Sequence, residues 1–221
     1  MLINKSITPL QVIQWTWHHI TWLVTLAGIF AVFNKEAEEL AKQFEQPLKL
    51  QKGEHAPDFR LSNATGQAVQ LSNLLRQGAV VLFFYRGAWC PYCNLQLQQL
   101  QQVLPQIKAA GAQLVAISPQ KPDHSLDMKQ KNDLAFEVLT DEGNQVARMF
   151  TTVFQYGDAS LQAMKDLGYD FFDFYNDQSK ELPVPATFII EPNGVISFAA
   201  SEGGDYRERV EPSMILEALM H

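Results

Sequence analysis

The stretch of residues 80–104, VVLFFYRGAWCPYCNLQLQQLQQVL, constrains the fold more than any other part of the chain. It begins with an apolar run rich in valine and phenylalanine, which predicts a strand covered on both faces. Leucines then recur at three- and four-residue spacing, which predicts a helix. The only two cysteines of the chain, Cys90 and Cys93, stand between these elements. The sequence therefore predicts a Cys-x-x-Cys motif where a buried strand passes into a helix.

The segments that follow extend this pattern. AQLVAIS, at residues 112–118, reads as a second buried strand, and a strand–helix–strand unit implies a parallel pair with a right-handed crossover. A helix near residues 122–132, a short strand FEVLT and a helix at residues 146–150 continue the alternation. PATFII and VISFAA, separated by Asn193-Gly194, predict a hairpin. Together these elements predict an α/β fold in which helices flank a central mixed sheet.

Residues 151–182 interrupt the alternation with the aromatic-rich sequence GYDFFDFYNDQ. A long connection of this kind is either a surface loop that packs its own aromatic rings or a lid beside a substrate site.

The first fifty residues have a different character. The span from Thr8 to Asn34 carries no charged side chain and could just cross a bilayer, which takes about 20 helical residues. Lys5 before the span and acidic residues after it favour a membrane-anchored chain with its main domain outside the cytoplasm. The alternative is a buried or dimer-forming helix of a cytoplasmic protein, so that an oligomer is possible.

A charged helix, NKEAEELAKQ, follows the apolar span, and Pro47 stops it. We therefore divide the chain into residues 1–50, which hold the apolar helix and the charged linker helix, and residues 51–221, which form one catalytic-size domain.

Charge and cysteine count exclude two classes of protein. The 24 acidic and 17 basic residues give a net charge of -7 without a polybasic block, so a nucleic acid would be repelled. Two cysteines are too few for a disulfide-stapled secreted scaffold.

A cysteine pair at the start of a helix suits thiol chemistry, because unsatisfied N–H groups and the helix dipole stabilise a thiolate there. We expect Cys90 to be the exposed N-cap residue and low-pKa nucleophile, and Cys93 to be the resolving thiol one turn in. Zinc binding would need two more ligands, and His55 and His124 are single and distant, so we expect no metal and no cofactor.

Five motifs in order resemble a known family. They are GEHAPDFRLSNATG, VVLFFYRGAWCPYC, VAISPQ, VLTDEGNQVAR and PVPATFIIEPNGVI, spread over about residues 50–221. In this order they resemble the alkyl hydroperoxide reductase and thiol-specific antioxidant (AhpC/TSA) group of peroxiredoxin-like proteins. The resemblance implies a thioredoxin-like fold, reduction of hydroperoxides through a cysteine sulfenic acid, and re-reduction by a dithiol such as thioredoxin.

The departures from that family concern the site itself. In an ungapped overlay Cys93 takes the peroxidatic position, Cys90 replaces a peroxide-holding threonine, and Arg86 stands where a loop proline would be. Pro185 occupies a place where related proteins often carry an activating arginine. It resembles the cis-proline of thioredoxins, which predicts a cis Val184–Pro185 bond. This overlay makes Cys93 the nucleophile, opposite to the exposure argument.

The remaining site predictions are less specific. Arg86 has two possible roles. Either its guanidinium lies beside one of the thiolates, or it is a charged side chain of a solvated loop. Trp89 shields the cysteine pair and, with Val184, presents a surface to a substrate or partner, or it simply packs.

Three functions follow from these patterns. The first is a peroxiredoxin-like peroxidase that cycles Cys90 and Cys93 between dithiol and disulfide. The second is a thioredoxin-like oxidoreductase acting on protein disulfides, and the third is a non-enzymatic, membrane-associated scaffold.

Overall fold

The computed structural model describes the backbone of residues 9–220 and the side chains of residues 24–220. In chain order the helices and strands are α1 (Pro9–Gln43), β1 (Arg60–Asn63), β2 (Ala68–Gln70), α2 (Leu71–Leu75), β3 (Ala79–Phe84), α3 (Pro91–Ala109), β4 (Ala112–Ser118), α4 (Pro122–Lys131), β5 (Glu137–Thr140), α5 (Ala147–Phe150), β6 (Val153–Gln155), α6 (Asp158–Asp166), β7 (Glu181–Pro183), β8 (Ala186–Ile190), β9 (Ile196–Ala200) and α7 (Pro212–Leu219).

Seven strands form one mixed sheet in the order β2-β1-β5-β4-β3-β8-β9. The β3–β4 and β4–β5 pairs are parallel, as the strand–helix–strand pattern predicted, and the other pairs are antiparallel. The predicted β8–β9 hairpin is confirmed, and Gly194 supplies the positive φ of 83° that its turn requires. The predicted mixed sheet with flanking helices is therefore confirmed.

Strand β3 runs through the middle of this sheet and is buried on both faces. Val81 and Phe83 point toward α3, whose leucines cover that face. Val80, Leu82 and Phe84 point to the other face, where they pack with Phe150 and Phe188. This alternation carries the chain directly to the Cys-x-x-Cys motif, so the core of the domain positions the motif.

The insertion at residues 151–182 is more ordered than a loop. It forms β6 and β7, which pair in a separate two-stranded antiparallel sheet, with α6 between them. Its buried aromatic side chains join a third hydrophobic cluster together with Ala37 and Leu40 of α1. The insertion thus packs against the N-terminal helix beside the main sheet.

Two predictions about the N-terminal segment need correction. Helix α1 runs unbroken into the charged sequence that was predicted as a second helix, and its Ala37 and Leu40 pack on the domain. Within the described part of the chain, which leaves out Thr8 and the side chains before Val24, no helix has the length and apolar character needed to span a bilayer. The predicted membrane anchor, with the main domain outside the cytoplasm, is therefore wrong.

Candidate active site

The cysteine pair lies where β3 ends and α3 begins. Cys90 is the N-cap residue of α3, with φ -81° and ψ 114°, and Pro91 is its first helical residue, as predicted. Both thiols are free, and both cysteines are 0% exposed. The prediction that Cys90 is an exposed cap is therefore wrong, because Cys90 packs in a core cluster with Phe83 and Tyr85.

A second arginine, which the sequence analysis missed, reaches the pair from the C-terminal part of the chain. Arg209 Nη2 lies 3.4 Å from Cys93 Sγ and 4.0 Å from Cys90 Sγ. Arg209 follows the β8–β9 hairpin, in the segment that leads to α7. Its guanidinium brings a positive charge to the sulfurs. Pro185, at the position where related proteins often carry an arginine, brings none.

The pKa values of the two thiols shift in opposite directions. Burial opposes ionisation of Cys93, but the hydrogen bond from Cys90 and the charges of Arg209 and Arg86 hold the pKa of Cys93 well below its ordinary value. Burial, together with the same hydrogen bond and the charge of Cys93, raises the pKa of Cys90. These opposite shifts favour ionisation of Cys93 over Cys90, in line with the family overlay, and the choice of the attacking sulfur stays a prediction.

Arg86 is a buried part of the site and not a solvated loop charge. Its side chain is 2% exposed, and its Cζ lies 3.6 Å from the ring centroid of Tyr206. The rings of Trp89 and Tyr156 also contact the guanidinium, at 4.6 and 5.2 Å from their centroids. These three rings contact the guanidinium and stabilise its charge inside the site.

Two donors of this guanidinium are unpaired. Among the described residues, Arg86 Nε and Nη1 are buried without a hydrogen-bond partner, which is a costly state for a charged donor. Both Arg86 and Cys90 line a cavity of about 290 Å³. The positive charge of Arg86 therefore lies at the wall of this cavity, next to Cys90.

Aromatic residues of the insertion fix the position of Trp89. Trp89 Nε1 donates to Tyr175 Oη at 2.7 Å, and Tyr175 Oη donates to the carbonyl oxygen of Arg86 at 2.9 Å. Gly87 permits this contact, because an added Cβ would lie 2.6 Å from Tyr175 Oη. Trp89 therefore packs against the insertion, and its predicted role in shielding the cysteine pair and contacting a partner stays a prediction.

Polar side chains from β4 and the following loop hold the segment before Cys90. Ser118 Oγ donates to the carbonyl oxygen of Arg86 at 3.1 Å. Gln120 Oε1 accepts from the N–H of Ala88 at 2.7 Å, and Gln120 Nε2 donates to Tyr85 Oη. Both side chains are buried, so the loop is fixed on its inner side. VAISPQ, which carried part of the family resemblance, thus supports the site.

Pro185 and Val184 precede β8, next to the end of β3. Register places Ala186 opposite Phe84, so Pro185 is adjacent to the site loop, and it lines a small cavity with Arg209. The Val184–Pro185 bond is trans, since the described residues contain no cis peptide bond, and the predicted cis bond is wrong. Val184 is 0% exposed, so its side chain presents no surface to a partner.

Helix α1 also contributes a carboxylate that the sequence analysis did not assign to the site. Glu36 Oε1 accepts from the N–H of Gly157 at 3.2 Å, and Oε2 is buried without a partner. Burial raises the pKa of Glu36, against the opposing effects of Ser160, Arg86, Gly157 and Tyr206. No local pattern marks Glu36, because its neighbours along the chain are ordinary charges of an exposed helix face.

Known proteins are similar to this chain in sequence and fold. The AhpC/TSA family matches residues 52–199 of the chain. Peroxiredoxin Bcp of Escherichia coli K12 is 35% identical over 104 residues, which are 47% of this chain and 65% of that protein. The putative chloroplastic peroxiredoxin Q of Oryza sativa subsp. indica is 29% identical over 150 residues, 68% of this chain and 58% of that protein.

The matches span less than two thirds of the length of these two relatives. Among solved structures, peroxidoxin BcpB from Mycobacterium tuberculosis superposes with a TM-score of 0.61 at 22% identity, covering 77% of this chain and 97% of that one. This likeness shows the thioredoxin-like fold. With two thirds of its residues matched to one family, the chain belongs to the AhpC/TSA family of peroxiredoxin-like proteins.

Proposed function

We propose that the chain is a thiol-dependent peroxidase that reduces hydroperoxides with Cys93 and Cys90. The observation that supports it best is the pair of guanidinium groups at the sulfurs, with Arg209 Nη2 3.4 Å from Cys93 Sγ and Arg86 lining the cavity beside Cys90. A buried cation, Arg86, and a half-buried one, Arg209, stabilise a thiolate at neutral pH and the negative charge that develops on peroxide oxygen.

In the proposed reaction the Cys93 thiolate attacks the terminal oxygen of a hydroperoxide. The O–O bond breaks, Cys93 becomes a sulfenic acid, and the leaving alkoxide takes the proton of the Cys90 thiol and departs as an alcohol. The Cys90 thiolate then attacks the Cys93 sulfur, and the hydroxyl leaves as water after taking up a proton. One hydroperoxide and two thiols thus give an alcohol, water and a disulfide.

The position of Cys90 suits this second role. Cys90 lines the cavity, whereas Cys93 contacts Arg209 and is not among the lining residues. In the proposed reaction a peroxide enters past the proton donor and reaches the Cys93 thiolate when the Cys90 side chain moves. Cys90 then takes the place that a peroxide-holding threonine has in the resembled family. A dithiol such as thioredoxin would re-reduce the disulfide, and this step requires that a sulfur becomes accessible.

Burial argues against direct exchange with protein disulfides. Both cysteines are 0% exposed, and an attack on a protein disulfide needs the nucleophilic sulfur at the surface. A small hydroperoxide can enter the cavity as far as Cys90 and needs only a local side-chain movement to reach Cys93.

Rapid mixing of the reduced protein with hydrogen peroxide, with an organic hydroperoxide and with a protein disulfide tests the proposal. We expect loss of two thiols per hydroperoxide, at a rate at least about 100-fold above that of free cysteine, and slow reaction with the protein disulfide. Thiol loss that is fast with the protein disulfide alone would replace the proposal by disulfide exchange.

A further inference from the structure

Helix α1 lies outside the matched family region, yet it is fixed against the loop that carries Tyr206. Gly204 N donates to the carbonyl oxygen of Phe44 at 2.8 Å, and Tyr206 Oη donates to that of Phe33 at 2.8 Å. A Cβ on Gly204 would lie 2.0 Å from the carbonyl oxygen of Leu40. Only glycine allows this close approach, so the helix position is built into the fold.

This docking makes α1 one wall of the cavity that leads to Cys90. Phe30 and Phe33 line it from α1, and Leu167 and Tyr169 line it from the segment after α6. Phe30 and Tyr169 are 58% and 50% exposed, so they lie at its outer end. The wall consists mainly of apolar side chains, and the charged guanidinium of Arg86 stands at the inner end.

The size of the cavity exceeds what hydrogen peroxide needs. Its volume is about 290 Å³, close to the lower end of small-molecule sites at roughly 300 Å³. A water molecule occupies about 30 Å³ in the liquid, so hydrogen peroxide would leave most of the cavity to water against aromatic rings. A hydroperoxide with an aromatic or branched apolar body of about ten heavy atoms would displace that water.

We propose that α1 is the substrate-selecting wall of this site, and that Phe30 and Phe33 are specificity-determining residues. They favour hydroperoxides with a compact aromatic or branched body over hydrogen peroxide, because the rings bury the body while Arg86 and the cysteine pair receive the peroxide group. The inference rests on the proposed function and adds a selecting element from outside the family region.

The kinetic test compares cumene hydroperoxide with hydrogen peroxide. Phe33→Ala and Phe30→Ala should raise the KM for cumene hydroperoxide about 10-fold, and change the rate constant for hydrogen peroxide less than about 2-fold. Phe174→Ala is the matched control, since this half-buried ring packs on His124 outside the cavity. It should leave the preference between the two peroxides unchanged.

A binding test does not depend on turnover. Titration calorimetry with 2-phenyl-2-propanol, the alcohol product of cumene hydroperoxide, should detect binding to the reduced wild-type protein and about 10-fold weaker binding to Phe33→Ala. If no hydroperoxide consumes thiols, the proposed function is wrong. The titration still tests whether Phe30 and Phe33 form a binding site for the apolar body of the ligand. Phe30 is more than half exposed, so Phe30→Ala supports or overturns the inference even where Phe33→Ala unfolds the protein.

Two results would overturn the inference. One is an equal effect of the Phe30→Ala and Phe33→Ala changes on both peroxides, which would mean that they disturb the cysteine pair and not selection. The other is wild-type protein that neither prefers cumene hydroperoxide nor binds the alcohol.

Discussion

Arg209 places its Nη2 3.4 Å from the Sγ of Cys93, across 116 residues of sequence. The contact joins the segment before α7 to the first turn of α3. Against the effect of burial, the charge of Arg209 lowers the pKa of Cys93 together with the hydrogen bond from Cys90. We propose that the same charge stabilises negative charge in the transition state.

Replacing Arg209 with glutamine should slow the reaction of Cys93 with hydroperoxide by about 100-fold, because the amide has no charge to stabilise thiolate or leaving oxygen. Stopped-flow measurement of thiol loss checks this. Arg148→Gln is the matched control, since Arg148 is partly exposed on α5 and pairs with Glu181. An Arg209→Gln protein as fast as wild type would show that the contact has no catalytic role.

The reaction with hydrogen peroxide should persist well below the ordinary thiol pKa of about 8.5. The hydrogen bond from Cys90 and the charges of Arg209 and Arg86 outweigh burial and lower the pKa of Cys93, so the thiolate remains as the pH falls until that lowered pKa is passed. The pH dependence of the rate constant measures it, with the urea-unfolded chain as control. Equal apparent pKa values in folded and unfolded protein would contradict the assignment.

The two single-cysteine variants should behave differently. Cys90→Ser keeps the Cys93 thiolate and a hydroxyl donor beside it, so it should consume one equivalent of peroxide and stop as a sulfenic acid. Cys93→Ser should react at least about 100-fold more slowly, because burial raises the pKa of Cys90. Rate constants and mass spectrometry of both variants decide between the sulfurs. Fast reaction of Cys93→Ser would restore Cys90 as the nucleophile.

Glu36→Gln should stabilise the fold more at about pH 8 than at about pH 5. Burial raises the pKa of Glu36 despite the opposing effects of Ser160, Arg86, Gly157 and Tyr206. The stability that Glu36 contributes is therefore fully present below the pKa that Glu36 has in the unfolded chain. This contribution is lost as the pH rises through the raised pKa of the folded protein. Glutamine does not titrate and keeps an oxygen acceptor for Gly157.

Urea unfolding of both proteins at the two pH values measures this difference. Glu39→Gln is the control on the same helix, because its carboxylate is mostly exposed and pairs with Lys35. A stability difference between Glu36→Gln and wild type that does not vary with pH would contradict the buried-carboxylate account.

Phe150→Ala should lower the free energy of unfolding by about 3–5 kcal/mol. The ring is 0% exposed, and its centroid lies 5.3 Å from those of Phe84 and Phe188 beneath the sheet. Denaturant unfolding measures the loss. Met149→Ala, at a neighbouring position that is 38% exposed, should change stability by no more than about 0.5 kcal/mol.

Local patterns predicted the elements that carry the site. The continuous apolar run before Arg86 predicted a buried strand, and the leucine spacing after Cys93 predicted a helix. Strand β3 and helix α3 confirm these predictions. Asn193-Gly194 predicted the β8–β9 hairpin because the turn chemistry depends on adjacent residues.

Contacts between residues that are far apart in the chain could not be predicted from such local patterns. Cys90 is buried in a cluster with Phe83 and Tyr85, and Arg209 reaches it from a distant part of the chain. The position of Cys90 at the start of α3 does not reveal these contacts, so its predicted exposure is wrong. Which sulfur attacks first stays a prediction.

The sequence by itself determined the strand–cysteine–helix junction, the mixed sheet and the membership of a thiol-dependent family, because each depends on residues close together in the chain or on motifs in order. Tertiary structure alone decided which charges meet the sulfurs. Arg209 and Glu36 lie in segments without a distinctive pattern, and only folding places them at the site. Charge interactions depend on distance and burial in space, so the lowered pKa of Cys93 follows from packing.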